Sequence, residues 1–585
     1  MVGFTRFREL LKARSTEDDT GPVARMTVVD NKHEDAAGDV PQSQDEAQLE
    51  VPSEDTQRGV QNVEALTLTW SRRSLIAVFI NIWFLYLVNA FQSNILTSLL
   101  PFVTSKFESH SLLNVIFVVS NAMCAATFIP LAKIMDLWGR AEGFLIMTVF
   151  ATLGLQAYSQ QVFYSIGFGG MTYCMDVITA DASKLKNRGL AFAFTSSPYI
   201  ITAFAGPKSA EDFYYKVNWR WGFGCFAIIF PVVAAPLYLL LKFNLRKADK
   251  QGLTAKGDSG RTFLQSVWHY VLEFDLFGVV IFSAGLIVFL LPFEIASSAP
   301  NGWATGYIIA MIVVGFVMLI IFILHEVFLA PAPMLNFSFI SDRTVIGACL
   351  LDATYQISYS CWANYYTSFL QVVNNLTLAQ AGYVMNTFDV VSGVLLLIVG
   401  FLIRRTGRFK WLLYISVPLY VFAQGLMIYF RRPNQSVGYL VMCQIFISIG
   451  GSVFIIVQQL AILAAVDHQH VAAVLALLNV VGTVGNAMGA NISGAIWTNT
   501  FKKALTWNLP LSEMGNLDNI YENLDTQLEY PVGSATRLAI QKAYGYAQTR
   551  MLASGTGIIG LAFVWILLIR NIDLAKVQQV KGMVF

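Results

Sequence analysis

Residues 132–140, Ala132-Lys133-Ile134-Met135-Asp136-Leu137-Trp138-Gly139-Arg140, form a short charged turn between two long apolar runs. A related turn stands much later in the chain, Gly400-Phe401-Leu402-Ile403-Arg404-Arg405-Thr406-Gly407-Arg408, with Arg404 in place of the acid. Each turn ends on a glycine and an arginine, and glycine allows the chain to reverse tightly at a membrane surface. Two such turns at equivalent positions indicate a chain built from two related halves, as in duplicated transporters.

Apolar residues dominate the chain on both sides of these turns. Of the 585 residues, 55% are hydrophobic and 13% are charged, whereas soluble domains have roughly 25% charged residues. Most of the chain is therefore expected to lie in a bilayer, where only helices or closed barrels satisfy their backbone groups. The formal net charge of +2 gives no support to nucleic-acid binding.

The apolar runs are long enough for helices that cross a bilayer, and too long for barrel strands. Since a crossing helix needs about 20 residues, the sequence predicts an all-α polytopic membrane protein with about 14 spans. These spans are placed near 75–96, 112–131, 143–158, 161–180, 189–206, 220–241, 275–293, 303–324, 344–372, 380–403, 411–430, 437–465, 471–497 and 551–570.

The spans divide the chain into regions of different character. The acidic, apolar-poor residues 1–73 are predicted to be a disordered cytoplasmic tail. Two six-helix bundles are predicted at 74–241 and 344–585, with a cytoplasmic linker and two inserted spans at 242–343. The second bundle includes a long outer loop, 498–550, whose later part is either a helix packed over the outer mouth or a solvated surface loop.

Loop charges indicate the orientation of the chain. With the amino terminus inside, the short inner loops hold 16 Lys and Arg and the outer loops hold 6, which agrees with the positive-inside rule. Both termini are then cytoplasmic, and glycosylation sequons at Asn375 and Asn434 fall outside. Sequons also occur at Asn336, on the inner side, and at Asn491, within a span, so their weight is modest.

The first turn resembles the GxxxDxxGR loop of the major facilitator superfamily, with Ala132 in place of the usual first glycine and Arg404 departing from the acid in the second copy. The resemblance implies a conformational-switch role for these turns. The residues concerned are Asp136, Gly139, Arg140, Gly407 and Arg408.

Three further segments resemble the fungal siderophore-iron transporters of the fourteen-span branch. They are Tyr173-Cys174-Met175-Asp176-Val177-Ile178-Thr179-Ala180-Asp181, Gln371-Val372-Val373-Asn374-Asn375-Leu376-Thr377-Leu378-Ala379-Gln380-Ala381-Gly382-Tyr383 and the long, Tyr-rich outer loop 498–550. The resemblance implies proton-coupled import of a ferric siderophore, by a monomer without a cofactor, at a plasma or endosomal membrane. Multidrug/proton antiport and a substrate-sensing receptor are the alternatives.

Three acids lie deep in predicted spans: Asp176, Asp352 and Asp389. Ionisable groups are expensive there and are functional candidates by default. Because burial disfavours the charged carboxylate, such an acid could take up a proton outside and release it inside. Asp176 and Asp389 are the predicted proton-coupling residues, although a structural hydrogen bond would also explain Asp176. Asp181, beside several basic residues, is predicted to be a surface acid.

Helical periodicity places an aromatic face on the ninth span. At 100° per residue, Asp352 and four aromatic residues fall within about 80° along about 21 Å of helix. In the tenth span Gly382, Asn386, Asp389 and Gly393 cluster within about 60° by the same arithmetic. Both faces are expected to line a central cavity, with helix packing as the alternative for the rings. The predicted substrate-binding residues are Tyr199, Asp352, Tyr355, Tyr359, Trp362, Tyr366, Gln371, Asn386 and Tyr544.

Metal ligation and enzymatic chemistry find no pattern in the sequence. The histidines at 269, 325, 468 and 470 gather no carboxylate cluster, and the six cysteines are scattered without a CxxC pair. Walker, nucleophile-elbow and metalloprotease signatures are absent from the sequence. Iron, if carried, is expected to arrive already chelated.

Overall fold

The computed structural model describes residues 58–105, 113–156, 161–218, 220–252, 262–296, 299–331, 341–467, 470–576 and 584–585. Every regular element in these ranges is helical. The predicted all-α architecture is therefore confirmed for the described part of the chain. Residues 1–57 of the predicted tail and the sequon at Asn336 lie outside these ranges.

The first half of the chain forms helices that reach from the predicted tail to the linker. They are α1 Arg58–Thr69, α2 Arg72–Ser105, α3 Leu113–Leu137, α4 Arg140–Gln156, α5 Gln161–Asp181, α6 Leu185–Ser196, α7 Pro198–Tyr215 and α8 Trp221–Lys250. A short helix, α9 Phe263–Glu273, leads into the inserted pair, α10 Leu276–Ile295 and α11 Gly306–Leu324, and a π-helical turn, His325–Leu329, follows α11.

The second half is also helical, and three of its predicted spans are each divided into two helices. Its elements are α12 Arg343–Ala363, α13 Tyr366–Val372, α14 Leu378–Met385, α15 Thr387–Thr406, α16 Lys410–Phe430, α17 Val437–Ala464, α18 Val471–Asn508, α19 Leu517–Glu522, α20 Leu524–Glu529, α21 Ala535–Ile559 and α22 Ala562–Leu568. Short 3-10 turns lie at Gly302–Ala304 and Leu511–Asn516.

Eleven stretches of helix within the described ranges are long and apolar enough to cross a membrane. The predicted count of fourteen is not confirmed, because α4, α5 and α12 lie at predicted spans but are not among the eleven. Helix α4 has only 17 residues, α5 carries two aspartates and α12 carries Asp352 with many hydroxyl groups. Since α5 and α12 pair polar side chains with neighbouring helices, their composition is less apolar than that of a lipid-facing helix.

Four predicted spans are interrupted in the structure: 189–206 at Ser197, 344–372 at residues 364–365, 380–403 at Asn386 and 551–570 at residues 560–561. The predicted span 344–372 is divided into α12, which ends at Ala363, and α13. The helix ends there because Tyr365 takes the left-handed conformation with φ of 57°. Asn364 at the break donates from Nδ2 to Ser493 Oγ at 2.8 Å, which gives its polar side chain a partner inside the bundle. The predicted span 380–403 breaks at Asn386, between α14 and α15.

The long outer loop is shorter than predicted. Helix α18 continues to Asn508 and α21 begins at Ala535, so the connection between them is 509–534 rather than 498–550. The helical expectation for its later part agrees with α21, but this helix runs on into the last span instead of lying across a mouth. Polar residues such as Arg537 and Gln541 hid the start of the span; they are buried and donate to the Val372 carbonyl oxygen.

Residues 58–69 of the predicted tail form helix α1, which differs from the expected disorder. Val60, Val63 and Leu66 are buried at a three-residue spacing, as on one face of a helix. A Cβ atom on Gly59 would lie 2.3 Å from the Asp136 carbonyl oxygen, so α1 rests directly on the first motif turn. Burial of this apolar face stabilises the helix although the segment as a whole is polar in composition.

The two halves meet along two seams. Helix α3 packs against α18 on one side, and α6 and α7 pack against α14 and α15 on the other. The inserted helix α10 covers the first seam, since it contacts both α3 and α18 and its Leu290 carbonyl accepts a hydrogen bond from Asn491 Nδ2 at 2.5 Å. The second seam, between α6 and α7 on one side and α14 and α15 on the other, adjoins the polar residues of the candidate site.

Candidate functional site

We call the end of the molecule with Gly139 and Gly407 the motif face, and the end with Asn375 and Asn434 the sequon face. Contacts join the halves at both ends. At the motif face a Cβ atom on Gly400 would lie 3.0 Å from the Gly189 carbonyl oxygen. At the sequon face Tyr214 donates to Asp525 Oδ2 at 3.3 Å. The two halves therefore touch at both faces, and we call this arrangement the closed state.

The first motif turn is held by a buried ion-pair network. Gly139 adopts φ of 122°, a conformation that favours glycine. Arg140 lies between two carboxylates, donating from Nη1 to Asp136 Oδ1 at 2.6 Å and from Nε to Asp181 Oδ2 at 2.9 Å. The expected pairing of Asp136 with an arginine is present. The prediction of Asp181 as a surface acid is wrong, because its side chain is enclosed by this pair and is 2% exposed.

The second motif turn is held through its backbone. Gly407 takes φ of 68°, and its carbonyl oxygen accepts from the Leu574 amide at 2.9 Å. Arg404 and Arg408 are exposed, and neither forms an ion pair within the described part of the chain. Without an acid at position 404, this turn has no counterpart of the Arg140 network.

The carboxyl-terminal segment also crosses the motif face. Phe585 donates its amide to the Ala182 carbonyl at 3.0 Å and accepts from the Lys184 amide at 2.9 Å. It thus pairs with the turn that follows Asp181. The segment after α22 therefore touches both the second motif turn and the first half.

A ladder of polar contacts joins α2 to α5. Tyr86 donates to Asp176 Oδ1 at 2.6 Å, Asn89 donates to Thr172 Oγ1 at 3.1 Å, and Gln92 Oε1 accepts from Tyr164 at 2.8 Å. The sequence interpretation missed the α2 side of the ladder. Its signal was available, because polar residues recur every three positions in an apolar helix, as on one helical face.

The small-residue face of α14 and α15 packs against the first half rather than lining an open cavity. Asn386 donates from Nδ2 to Asn94 Oδ1 at 2.9 Å and to the Ala203 carbonyl at 3.0 Å. A Cβ atom on Gly382 would lie 2.5 Å from Pro207 Cβ, and one on Gly393 would lie 2.4 Å from Ile200. The expected cavity-lining face is a seam between the halves in this closed state.

Asp389 lies on the same helix with a half-buried side chain. Among the described residues, its carboxylate has no hydrogen-bond or ion-pair partner. The preceding residue, Phe388, packs edge-on against Tyr359 with ring centroids 5.8 Å apart. Tyr199 is half-buried on α7, one of the helices against which α15 packs.

The predicted aromatic face persists across the helix break as a chain of rings. The ring centroids of Tyr355 and Tyr359 are 6.3 Å apart, those of Tyr359 and Trp362 are 5.1 Å apart, and those of Trp362 and Tyr366 are 6.2 Å apart. We call these four residues the aromatic chain. Tyr359 is its half-exposed member and the other three are buried, so Tyr359 is the ring nearest to any substrate path.

Asp352, predicted to bind substrate, is enclosed between helices. Its Oδ1 accepts from Gln458 Nε2 at 2.7 Å and from Gln356 Nε2 at 3.4 Å, and a Cβ atom on Gly482 would lie 2.1 Å from Oδ2. The carboxylate therefore occupies the space left by a glycine of α18. It joins α12, α17 and α18 instead of facing an opening.

A buried cation stands at the break between α12 and α13. Arg431 is fully buried and donates from Nη1 to the Trp362 carbonyl oxygen at 2.5 Å. Its guanidinium lies 4.0 Å from the ring centroid of Tyr366. A cation at a helix carboxyl end is favourable, so Arg431 clamps the end of α12. The sequence interpretation counted it only as a loop charge.

Two predicted binding residues, Gln371 and Tyr544, lie apart from Tyr359, the half-exposed residue of the aromatic chain. Gln371 donates to the Thr367 carbonyl of its own helix at 3.3 Å. Tyr544 donates to Gln527 Oε1 at 2.8 Å and packs edge-on against Trp497. Both belong to packed regions of the second half near the sequon face.

The two sequon asparagines, Asn375 and Asn434, are exposed. Their loops adjoin, since Asn374 donates to the Gln435 carbonyl at 3.4 Å. In the loop 509–534 nearby, burial and a hydrogen bond to Glu513 raise the pKa of the Tyr530 hydroxyl. Among the described residues, no group of three His, Cys, Asp or Glu side chains could hold a metal ion.

Comparisons with known proteins agree with this architecture. Residues 82–490 match the Major Facilitator Superfamily. The chain is 55% identical to the siderophore iron transporter mirB of Emericella nidulans, over 98% of this chain and 96% of that protein. It is 56% identical to MFS siderochrome iron transporter 1 of Gibberella zeae, over 92% of this chain and 90% of that protein.

A solved structure shares the fold at low sequence identity. It is the bacterial homolog of the human lysosomal transporter Spinster in an inward-facing, unoccupied conformation, with a TM-score of 0.51, 14% identity, and coverage of 87% of this chain and 98% of that one. These matches, together with the duplicated motif turns, place the chain among transporters rather than enzymes. The chain belongs to the Major Facilitator Superfamily, in the same family as the fungal siderophore iron transporters that it matches.

Proposed function

We propose that this protein imports ferric siderophores, hydroxamate-type iron chelates, together with protons by alternating access. The observation that carries the proposal is Asp389, an acid without a cationic partner among the described residues, at the seam between the halves and next to Phe388, whose ring contacts Tyr359 of the aromatic chain. Extensive identity to curated siderophore iron transporters supports the substrate class.

The aromatic chain suits a large chelate of low charge. Such a substrate presents amide and hydroxamate oxygens around a compact core, and apolar rings with a few polar groups are typical of binding pockets. Tyr359 is the accessible ring, while Asn386 and Asn94 hold the seam that must part when the path opens. We assign substrate contact to the rings and gating to the asparagine pair.

Proton coupling is assigned to Asp389 and Asp176. A carboxylate without a cation in a poorly solvated seam favours its neutral form, and opening to water favours the charged form. Uptake of a proton from one side and its release on the other would tie substrate movement to the proton gradient.

The proposed orientation places the motif face in the cytoplasm, together with both termini and the residues before Leu75. The excess of Lys and Arg in the loops of that face supports it. Asn375 and Asn434 would then face outward, where glycosylation acceptors must lie. We propose that the protein acts as a monomer in a plasma or endosomal membrane.

Uptake of radiolabelled iron by a yeast strain without its own siderophore carriers tests the proposal. We expect accumulation of iron supplied as ferric hydroxamate chelates, and its collapse when a protonophore dissipates the gradient. Vector-only cells and iron offered as a simple salt are the controls. Drug resistance without iron uptake would favour antiport, and chelate binding without accumulation would favour a sensor; either result would contradict the proposal.

A further inference from the structure

Arg431 has donors for which the described chain supplies no acceptor. A guanidinium carries five N–H groups in a planar fork. Nη1 donates to the Trp362 carbonyl, but Nε and Nη2 find no hydrogen-bond partner among the described residues. The side chain is fully buried, so bulk water does not solvate these groups in the closed state.

The charge of Arg431 is also uncompensated. No ion pair within the described ranges includes it, and its nearest charge-stabilising neighbours are the rings of Tyr366 at 4.0 Å and Phe369 at 5.5 Å. Rings and a carbonyl oxygen offer partial negative charge only. Since a buried cation without a counter-charge is expensive in a membrane protein, a full negative charge from outside the chain would be stabilised here.

A second unmatched polar group lies in the same place. Tyr366 Oη is buried and lacks a partner among the residues described, and the ring of Tyr366 lies against the Arg431 guanidinium. Native proteins satisfy nearly all buried polar groups. A buried guanidinium with two unmatched nitrogens beside a phenol without a partner therefore points to a ligand that carries oxygen acceptors.

We propose that Arg431 is a specificity-determining residue, which binds a free carboxylate carried by the transported chelate. The inference rests on the proposed function and deepens it by naming the substrate class, a carboxylate-bearing ferric hydroxamate. The guanidinium fork suits a carboxylate because two parallel N–H groups can meet its two oxygens. The hydroxamate-bound iron core would then lie along the rings towards Tyr359.

A pair of probes isolates the carboxylate. One is a ferric trihydroxamate with a single free carboxylate, and the other is the same chelate with that group capped as an amide. The wild-type protein is expected to show a lower half-saturation concentration for the carboxylate probe. Equal values for the two probes would overturn the inference without any variant.

Substitutions then place the effect at Arg431. Arg431→Gln is expected to raise the half-saturation concentration of the carboxylate probe by about tenfold or more, the effect of losing a hydrogen bond to a charged group, and to change that of the amide probe by less than about twofold. Arg431→Lys keeps the charge without the fork and should fall between. Arg432→Gln is the matched control, since Arg432 is the next residue and is exposed near Tyr429.

The outcomes separate this inference from the proposed function. An equal loss for both probes in Arg431→Gln, at matched surface abundance, would mean that Arg431 only clamps the break in α12 and would overturn the inference. No loss for either probe would mean that water satisfies the donors of Arg431, and this result would overturn the inference as well. If the wild-type protein imports neither probe, the result would instead contradict the proposed function.

Discussion

The two motif turns are alike in sequence and differ in what holds them. In the first, Arg140 is buried between Asp136 and Asp181; in the second, Arg408 is exposed and the Gly407 carbonyl accepts a backbone hydrogen bond from Leu574. Breaking a buried ion pair costs about 3–5 kcal/mol, whereas a typical hydrogen bond contributes about 1 kcal/mol. The comparison indicates that the first half holds the energetic latch of the motif face.

The same difference runs through the buried acids of the two halves. In the first half Asp176 accepts a hydrogen bond from Tyr86, and Asp136 and Asp181 share Arg140. In the second half Asp352 has only amide donors, and no donor to Asp389 is found in the described part of the chain. Within the described residues, Asp136 and Asp181 of the first half therefore share a counter-charge, whereas Asp176, Asp352 and Asp389 have none.

Removal of the latch cation should give the largest effect. Arg140→Gln leaves two buried carboxylates without their counter-charge, and we expect the initial rate of iron uptake to fall by more than about tenfold at equal surface abundance. Arg408→Gln, in the second turn, should lower the rate by less than about twofold. Equal losses in both variants would show that the two turns contribute alike and would break the comparison.

Substitution of the acids should give an intermediate effect. Asp389→Asn removes the proposed protonation site, and we expect protonophore-sensitive accumulation to fall by about tenfold while chelate binding from outside is kept. Asp176→Asn should lower accumulation less, by about threefold, because an amide can still accept from Tyr86. Counterflow at equal substrate on both sides, which needs no gradient, is the control and should survive in both. Full accumulation by Asp389→Asn would remove the coupling assignment.

Loss of one ring should give the smallest effect. Tyr359→Ala removes the accessible member of the aromatic chain, and we expect the half-saturation concentration to rise by about fivefold, the effect of losing an aromatic contact. Tyr164→Phe, which removes only the hydroxyl that donates to Gln92 in the first half, should change it by less than about twofold. An unchanged half-saturation concentration in Tyr359→Ala would show that the rings serve helix packing and not substrate binding.

Local sequence patterns predicted the helices better than their interruptions. Apolar runs located the apolar part of each helix, because a bilayer imposes length and composition on any segment that crosses it. They did not locate the end of α18 at Asn508, predicted at 497, or the start of α21 at Ala535, predicted at 551. The breaks at Tyr365 and Asn386 were missed, since neither has a proline or glycine to mark it and each depends on a neighbour, Ser493 in one case and Asn94 in the other. Helix α1 was missed because net polarity was weighed above the spacing of its valines.

Charged residues were interpreted least well where their partners are distant in sequence. Asp181 was predicted to be a surface acid because three basic residues follow it, but Arg140, 41 residues earlier, encloses it. Arg431 was counted as a loop charge, and its burial follows from the rings of α13. Neither contact leaves a signal in the local sequence.

The sequence by itself determined the helical membrane architecture and the duplicated halves, and it marked the acids and rings that deserve testing. These follow from local rules of apolar length, helical spacing and glycine turns. Only the tertiary structure decided which acid is paired, which face closes the seam and which cation is buried without a partner. Those properties depend on contacts between residues that are 41 to 292 positions apart in the sequence, and such contacts form only when the chain folds.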